Sequence, residues 1–276
     1  MNEERNRYLR SLIRTDGVGL EIGPSYNPLL PKSSGYRVET IDYTDQAGLR
    51  AKYASDHSID PAVIEEVDFV LDGKKTLAEA VNRPKYYDYI VASHVIEHVP
   101  DLLRFLRSCE SLLKPDGILL LAVPDKRHCF DVFQPLTSTG HILQAYLDGR
   151  TKPAPGAVFD DFAYNAVRDG QIGWPIGGNG TLSFFSTLRD ATAVFERLQR
   201  ESIYIDVHSW RFVPSSCRLI MRDLNEVGQI GLREKDFHDS VGNEFYLTLS
   251  CTAAGCPIDR LTLARNALAE HAQIPC

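Results

Sequence analysis

The sequence has 276 residues, 43% of them hydrophobic and 24% charged, a balance that excludes a disordered or collagen-like chain. A chain of that length buries most of its unfolded-state surface, so one α/β domain carrying an insertion is expected. Net charge is −7, from 37 acidic and 30 basic side chains; this excludes the broad positive field of a general duplex binder, and no nucleic-acid partner is expected.

The opening MNEERNRYLRSLIR is polar and mixed in charge, without the apolar centre of a secretory leader. Residues 3–14 read as an amphipathic helix with Tyr8, Leu9, Leu12 and Ile13 on one side. VGLEIG at 18–23 has the form of a buried strand closed by glycine. YRVETID at 36–42 ends on an acid, VDFVLDG at 67–73 on Asp-Gly, and YDYIVAS at 87–93 and DGILLLAVP at 116–124 add two more strands. Helices are expected over 60–67 and 96–114. In the second, Leu102, Leu103, Leu106, Cys109, Leu112 and Leu113 recur at helical spacing, and Lys114-Pro115-Asp116-Gly117 reads as the turn that stops it. Strands alternating with helices argue for a parallel, doubly wound sheet.

From Pro135 to Gly180 the chain is dense in proline and glycine, and residues 125–212 read as an insertion over the sheet's carboxyl edge, where such folds bind ligands. Ser215 or Ser216 then caps a helix that runs to Val227 and ends at Gly228, and VGQIGLRE and NEFYLTLS read as two closing strands. The tail at 257–276, with Leu261, Leu263, Ala264 and Leu268, reads as a helix packed on the body or on a second subunit, which makes a homodimer a candidate assembly. ILLLAV at 118–123 is too short to span a bilayer, and a cytoplasmic location is expected. Cys109, Cys129, Cys217, Cys251, Cys256 and Cys276 form no C-x-x-C pair, so they read as buried or incidental thiols.

The strand ends carry the ligand chemistry. In Glu21-Ile22-Gly23-Pro24-Ser25-Tyr26-Asn27-Pro28, Gly23 lets backbone approach a ligand with no Cβ in the way. The run lacks the G-x-G-x-x-G fingerprint that a nicotinamide oxidoreductase would carry. Asp42 lies 21 positions after Glu21, where an acid can accept both hydroxyls of an adenosine ribose. Asp72-Gly73 ends the third strand, where a carboxylate can take the exocyclic amine of adenine. Alone, each acid is more often a cap or turn residue; their succession on one sheet edge points to one ligand.

YDYIVASHVIEHVPD, followed by LLKPDGILLLAVPD, resembles the core of class I S-adenosylmethionine-dependent methyltransferases, and EIGPSYNP and the acid of ETIDY fit that family's cofactor loop and ribose acid. The resemblance spans roughly residues 17–125 and, less specifically, the closing strands. It implies a single methyltransferase domain over 1–276. The implied fold is a Rossmann-like, doubly wound, mostly parallel α/β sheet of about seven strands with an insertion after the fifth. The implied cofactor is S-adenosyl-L-methionine, with S-adenosyl-L-homocysteine as product. By the resemblance, Glu21, Gly23, Pro24 and Ser25 border its methionine end. Asp42 holds the ribose, Asp72 and Gly73 the adenine, and Ser93 and His94 lie beside the sulfonium. AVPDKRHCFD at 122–131 and IDVHSWRFVPSS at 205–216 further resemble a bacterial subgroup that often accompanies polysaccharide or glycosyltransferase genes. The implied reaction is O-methylation of a sugar or other small or glycan-linked acceptor; N-methylation of a small molecule and a non-catalytic cofactor-binding domain are the alternatives.

A hydroxyl acceptor needs a base, and histidine suits neutral pH. The candidates are His94, His98, His128, His141 and His208, with Asp125 and Asp131. His128, just after the fifth strand, is the first choice and His208, from the insertion, the second, although a satisfied core or surface histidine is the commoner case. Lys126 and Arg127 can bind an anionic acceptor or form a solvated basic pair. Trp174, Phe159, Phe162 and Tyr164 can stack on a sugar or build the insertion's own core. Asp125, His128 and Asp131 have metal-ligand side chains at short spacing, but such matches arise often by chance and no metal is expected.

Overall fold

The computed structural model describes residues 3–273. The chain runs α1 (Glu3–Ser11), β1 (Gly19–Ile22), β2 (Val38–Asp42), α2 (Gln46–Tyr53), β3 (Phe69–Val70), α3 (Leu77–Val81), β4 (Tyr87–Ser93), α4 (Leu102–Leu112) and β5 (Leu113–Pro124). It continues through α5 (Thr139–Leu147), α6 (Pro155–Tyr164), β6 (Ala166–Arg168), β7 (Leu182–Phe184) and α7 (Leu188–Arg200) to α8 (Pro214–Glu226), β8 (Arg233–Val241), β9 (Glu244–Ser250) and α9 (Arg260–Ala272).

Seven strands make one sheet in the order β3-β2-β1-β4-β5-β9-β8. The first five pair in parallel; β9 runs antiparallel to both β5 and β8. This is the Rossmann-like α/β fold expected. Central strands covered on both faces need continuous apolar runs, and Ile90–Ala92 in β4 and Ile118–Val123 in β5 supply them, all at most 4% exposed. The strand order reverses between β1 and β4, so a crevice opens at their carboxyl ends. Gly23 and Ser93 lie there.

Several local expectations give way to tertiary structure. α4 starts at Leu102, capped by Asp101, whose carboxylate accepts from Arg104 N–H at 2.9 Å; Pro100 disfavours helix in the residue before it, so 96–100 turns instead. Lys114-Pro115-Asp116-Gly117 is not a turn but the start of β5, with an irregular register between Tyr87 and Tyr89. Lys114 is held there by Asp88 at 2.9 Å. Only Pro61–Val63 of the helix expected over 60–67 forms, as one 3-10 turn. The reason is Glu65, which is drawn out to accept from the N–H groups of Lys32 and Ser33. α8 begins at Pro214, with Ser216 Oγ accepting from Val213 N–H rather than standing outside the helix as its cap. Gly228, at φ +72°, closes α8, so VGQIGLRE is turn and loop as far as Leu232, and β8 runs later, over Arg233–Val241.

The segment after β5 holds α5, α6 and α7, the β6–β7 hairpin, and a small core of Val132, Ala166 and Trp174. α9 packs on α8 of its own chain, burying Leu263 and Ala267, while Leu261 and Leu268 face outward. Residues 274–276 of the expected tail helix lie outside the described residues, Cys276 among them. The other five cysteines are free thiols. Among the described residues, no helix is long and apolar enough to cross a membrane.

Candidate active site

The loop leaving β1 is folded by a buried acid. Glu21 Oε1 accepts from Leu29 N–H at 2.6 Å and Oε2 from Leu30 N–H at 3.0 Å, which pulls residues 23–30 back under the strand. Burial pushes the Glu21 carboxyl up to about 7, against the pull of those two N–H groups. Glu21 therefore shapes the loop from behind. Gly23, at φ +64°, forms the exit; a Cβ there would sit 3.3 Å from Val95, so the backbone is kept close to the loop after β4. The Pro24 carbonyl accepts from Asn27 N–H, closing a turn.

Ser25 and Asp42 meet. Ser25, at φ +52°, donates its N–H to Asp42 Oδ2 at 3.1 Å, and Tyr43 N–H donates to Oδ1 at 2.8 Å. Asp42 is 6% exposed and burial raises its carboxyl, yet each oxygen keeps a lone pair for a further donor. Leu71 N–H donates to the Asp42 carbonyl at 2.8 Å, which brings the end of β3 alongside. Asp72 is solvent-exposed and accepts from Lys74 N–H, and Gly73, at φ +77°, faces open space.

On the far side of the crevice Ser93 Oγ accepts from Arg5 Nη2 at 2.8 Å. Arg5 also pairs with Glu244, and His94 Nε2 lies 2.8 Å from the same carboxylate. Burial raises Glu244, but Arg5 and His94 outweigh it and hold the carboxyl near 2. His94 itself stands at φ +53°, a conformation uncommon for a residue with a Cβ, and so turns sharply off β4. α1 and β9 thus fasten the loop where the sequence places the sulfonium. The crevice thus presents a glycine exit at Gly23, a buried carboxylate with free lone pairs at Asp42 and open space at Gly73.

A second cluster stands beside this crevice. Residues 205–213 are tied to the loop after β4: Ser209 and Trp210 donate N–H to the Glu97 carbonyl at 2.6 and 3.1 Å, and Trp210 Nε1 donates to the Val99 carbonyl at 2.5 Å. That contact sets the rings of His98 and His208 edge to face, with centroids 4.7 Å apart. His208 Nδ1 lies 2.5 Å from Asp131 and His98 Nδ1 lies 3.0 Å from Asp206. Burial raises Asp131, but His208 and Arg211 outweigh it and hold the carboxyl below its ordinary value. Beside the two histidines lies Glu97, fully buried, with neither carboxylate oxygen hydrogen-bonded.

Other candidates stand apart from it. His128 is buried after β5, with Nδ1 unpartnered; burial lowers its pKa, and the charges acting on it are those of Asp125, Arg127 and Arg168. Lys126 and Arg127 are neither an anion site nor a solvated pair. Lys126 is 1% exposed and donates to the Val132 carbonyl, and burial lowers its pKa to about 8. Arg127 is locked onto Asp125 at 2.6 Å. His141 belongs to the capping box that starts α5. Trp174 is buried in the insertion's core and Phe159 packs on Phe195, leaving Tyr164 exposed. Sequence reasoning missed Glu97, Asp206 and Arg5 as members of these networks.

A family model described as a methyltransferase domain matches residues 1–165, more than half of the chain. The chain belongs to this methyltransferase family. Among its relatives is a ubiquinone biosynthesis O-methyltransferase of Xanthomonas campestris pv. campestris (strain B100). It is 35% identical over 88 residues, which is 32% of this chain and 34% of that protein. The namesake from Xanthomonas euvesicatoria pv. vesicatoria (strain 85-10) is 30% identical over 123 residues, 44% of this chain and 49% of that one. The match therefore spans between a third and a half of those relatives' length. An S-adenosylmethionine-dependent methyltransferase from Mesorhizobium loti overlays 88% of the chain and 95% of its own, at 11% identity and a TM-score of 0.45. As a methyltransferase domain on this α/β sheet, the protein takes S-adenosylmethionine as its cofactor.

Proposed function

We propose that the protein transfers the methyl group of S-adenosylmethionine to a hydroxyl oxygen of a small or glycan-linked acceptor, with a sugar as the preferred class. The observation that carries the reading is the Ser25–Asp42 hydrogen bond at 3.1 Å, which ties the loop after β1 to the acid ending β2. In this reading Gly23, Pro24 and Ser25 border the methionine end, Asp42 takes the ribose hydroxyls, Asp72 and Gly73 flank the adenine, and Ser93 and His94 line the sulfonium end. Glu21 is a positioning residue that acts through the loop.

When bound, S-adenosylmethionine supplies a methyl carbon on a sulfonium: the acceptor oxygen bonds to that carbon as the carbon–sulfur electron pair returns to sulfur, leaving a neutral thioether. The chain orients the partners and disposes of the acceptor's proton. We assign that proton to the Glu97–His98–His208 cluster. Each histidine with a carboxylate on Nδ1 keeps its Nε2 lone pair for an acceptor proton, and the carboxylate stabilises the imidazolium that results. His208, with Asp131, is preferred over His128 because it stands with His98 at the loop after β4.

Residues 125–212 are proposed to receive the acceptor. Phe133, Tyr164, Phe184 and Phe185 there are exposed, as a face that stacks on sugar rings requires. The resemblance at 122–131 and 205–216 supports a place in polysaccharide biosynthesis, and the O-methyltransferase names of the relatives favour oxygen over nitrogen. The test is a turnover screen over nucleotide sugars, short glycans, phenols and amines, read by mass spectrometry. Methyl transfer to a hydroxyl of the first two groups is expected; transfer to amines alone would refute the reading.

A further inference from the structure

His98 and His208 come from different parts of the chain, the loop after β4 and the end of the insertion, and converge on one buried carboxylate. Each has its Nδ1 occupied by a second carboxylate, Asp206 at 3.0 Å and Asp131 at 2.5 Å. A histidine that donates Nδ1–H to a carboxylate is fixed in the tautomer whose Nε2 carries the lone pair, the arrangement in which protein imidazoles bind metals. Glu97 is 0% exposed and both of its carboxylate oxygens lack hydrogen bonds. A buried carboxylate so placed wants a cation.

We propose that Glu97, His98 and His208 bind a first-row divalent transition cation such as Zn²⁺. One ligand-capable atom from each of the three lies within 4.8 Å of the others, and His98 Nε2 is 4.0 Å from Glu97 Oε1. Two imidazoles and one carboxylate suit zinc and its first-row neighbours, whereas Mg²⁺ and Ca²⁺ prefer all-oxygen shells. Three protein ligands leave positions open for exchangeable oxygen ligands. His98 is partly exposed, so the cluster has an entry path, while Glu97 and His208 stay buried. Charges facing the cluster from the surrounding elements include Asp131, Asp206, Arg211 and His94, whose Nδ1 is 3.6 Å from Glu97. The proton role given to the two histidines above belongs to the cation-free chain; with a cation seated their Nε2 lone pairs are ligands, and the cation takes over that task by lowering the proton affinity of an acceptor hydroxyl bound to it. Only that use of the cation rests on the proposed function; its binding does not.

The test uses the untagged full chain after chelator treatment, titrated with Zn²⁺ by calorimetry and with Co²⁺ by visible absorption. The expected result is one equivalent per chain, visible Co²⁺ bands and a rise in Tm on loading. Glu97→Gln and His98→Gln should each abolish stoichiometric uptake, with folding checked by circular dichroism; His98→Gln alters a partly exposed side chain. Asp206→Asn, which removes only the carboxylate behind a ligand, should weaken binding roughly tenfold to a hundredfold. No stoichiometric uptake, or full uptake by both Glu97→Gln and His98→Gln, overturns the inference. The same samples are titrated with S-adenosylhomocysteine: binding of that ligand without cation uptake defeats this inference alone, and cation uptake without it defeats the proposed function alone.

Discussion

Nδ1 of His208 lies 2.5 Å from Oδ2 of Asp131, a contact between two buried side chains 77 residues apart that joins the turn after β5 to the end of the insertion. The pair gives the first prediction. Asp131→Asn keeps the shape but removes the charge that orients and stabilises the imidazole, so kcat should fall by roughly 10²–10⁴ with donor affinity unchanged. Steady-state kinetics with a productive acceptor, alongside calorimetry with S-adenosylhomocysteine, separates the two quantities. Equal loss of both would mean that the substitution damages the fold.

Asp42→Asn should act in the opposite way. The amide keeps one oxygen to accept from Ser25 N–H but loses the acceptor for Tyr43 N–H, and a charged acceptor for the ribose hydroxyls is gone, so donor affinity should fall by about 1.5–3 kcal/mol. Calorimetry with S-adenosylhomocysteine measures it directly. Asp72 is exposed, and its replacement by Asn should cost less.

Glu21 makes stability depend on pH. Its folded-state carboxyl titrates near 7, above its ordinary value of 4.5, so the folded state holds a proton that the unfolded state has released between those values. Stability should therefore decline as pH rises from about 4.5 to about 7 and level off above that. Thermal melts across the window should show the decline for the native chain and a flatter profile for Glu21→Gln.

His94 and Glu244 set a second window. The Glu244 and Glu97 carboxylates hold the His94 pKa above its usual 6.5 despite burial. That contribution is fully present below 6.5 and is lost as pH rises through the folded value. Glu244, held near 2, contributes above 4.5 and loses its share as pH falls toward 2. Glu244→Gln should lower Tm most between about 4.5 and 6.5, and NMR titration should show His94 returning toward its ordinary pKa.

What the sequence made legible follows from where the physics is local. β4 and β5 are continuous apolar runs, and β1 to β4 are closed by Gly23, Asp42, Asp72 and Ser93, so short-range pattern suffices to find them. α4 was visible in its leucine spacing, but its first residue was fixed by Pro100 and Asp101. α3 and α7 were missed, although the capping boxes of Thr76 with Glu79 and Thr187 with Asp190 that the structure shows at their starts leave a signal in the sequence. The insertion's glycines and prolines obscured its helices. Lys126 and Arg127 read as solvated because nothing nearby in sequence announces α9, whose His271, with Gln273 just past its end, covers them. The partners Asp206 and Glu97 were illegible for the same reason: Asp206 lies 108 residues from His98, and only the fold of 205–213 onto the loop after β4 brings them together.

The central claim is that Gly23, Ser25, Asp42 and Ser93 border one adenosyl site. Calorimetric titration of the purified chain with S-adenosylmethionine, S-adenosylhomocysteine and NADH tests it most directly. Saturable binding of the first two at one equivalent per chain, abolished or strongly weakened by Asp42→Ala, with no response to NADH, is the predicted result. Silence toward both sulfur ligands at millimolar concentration from a folded sample, or binding indifferent to Asp42→Ala, would contradict it.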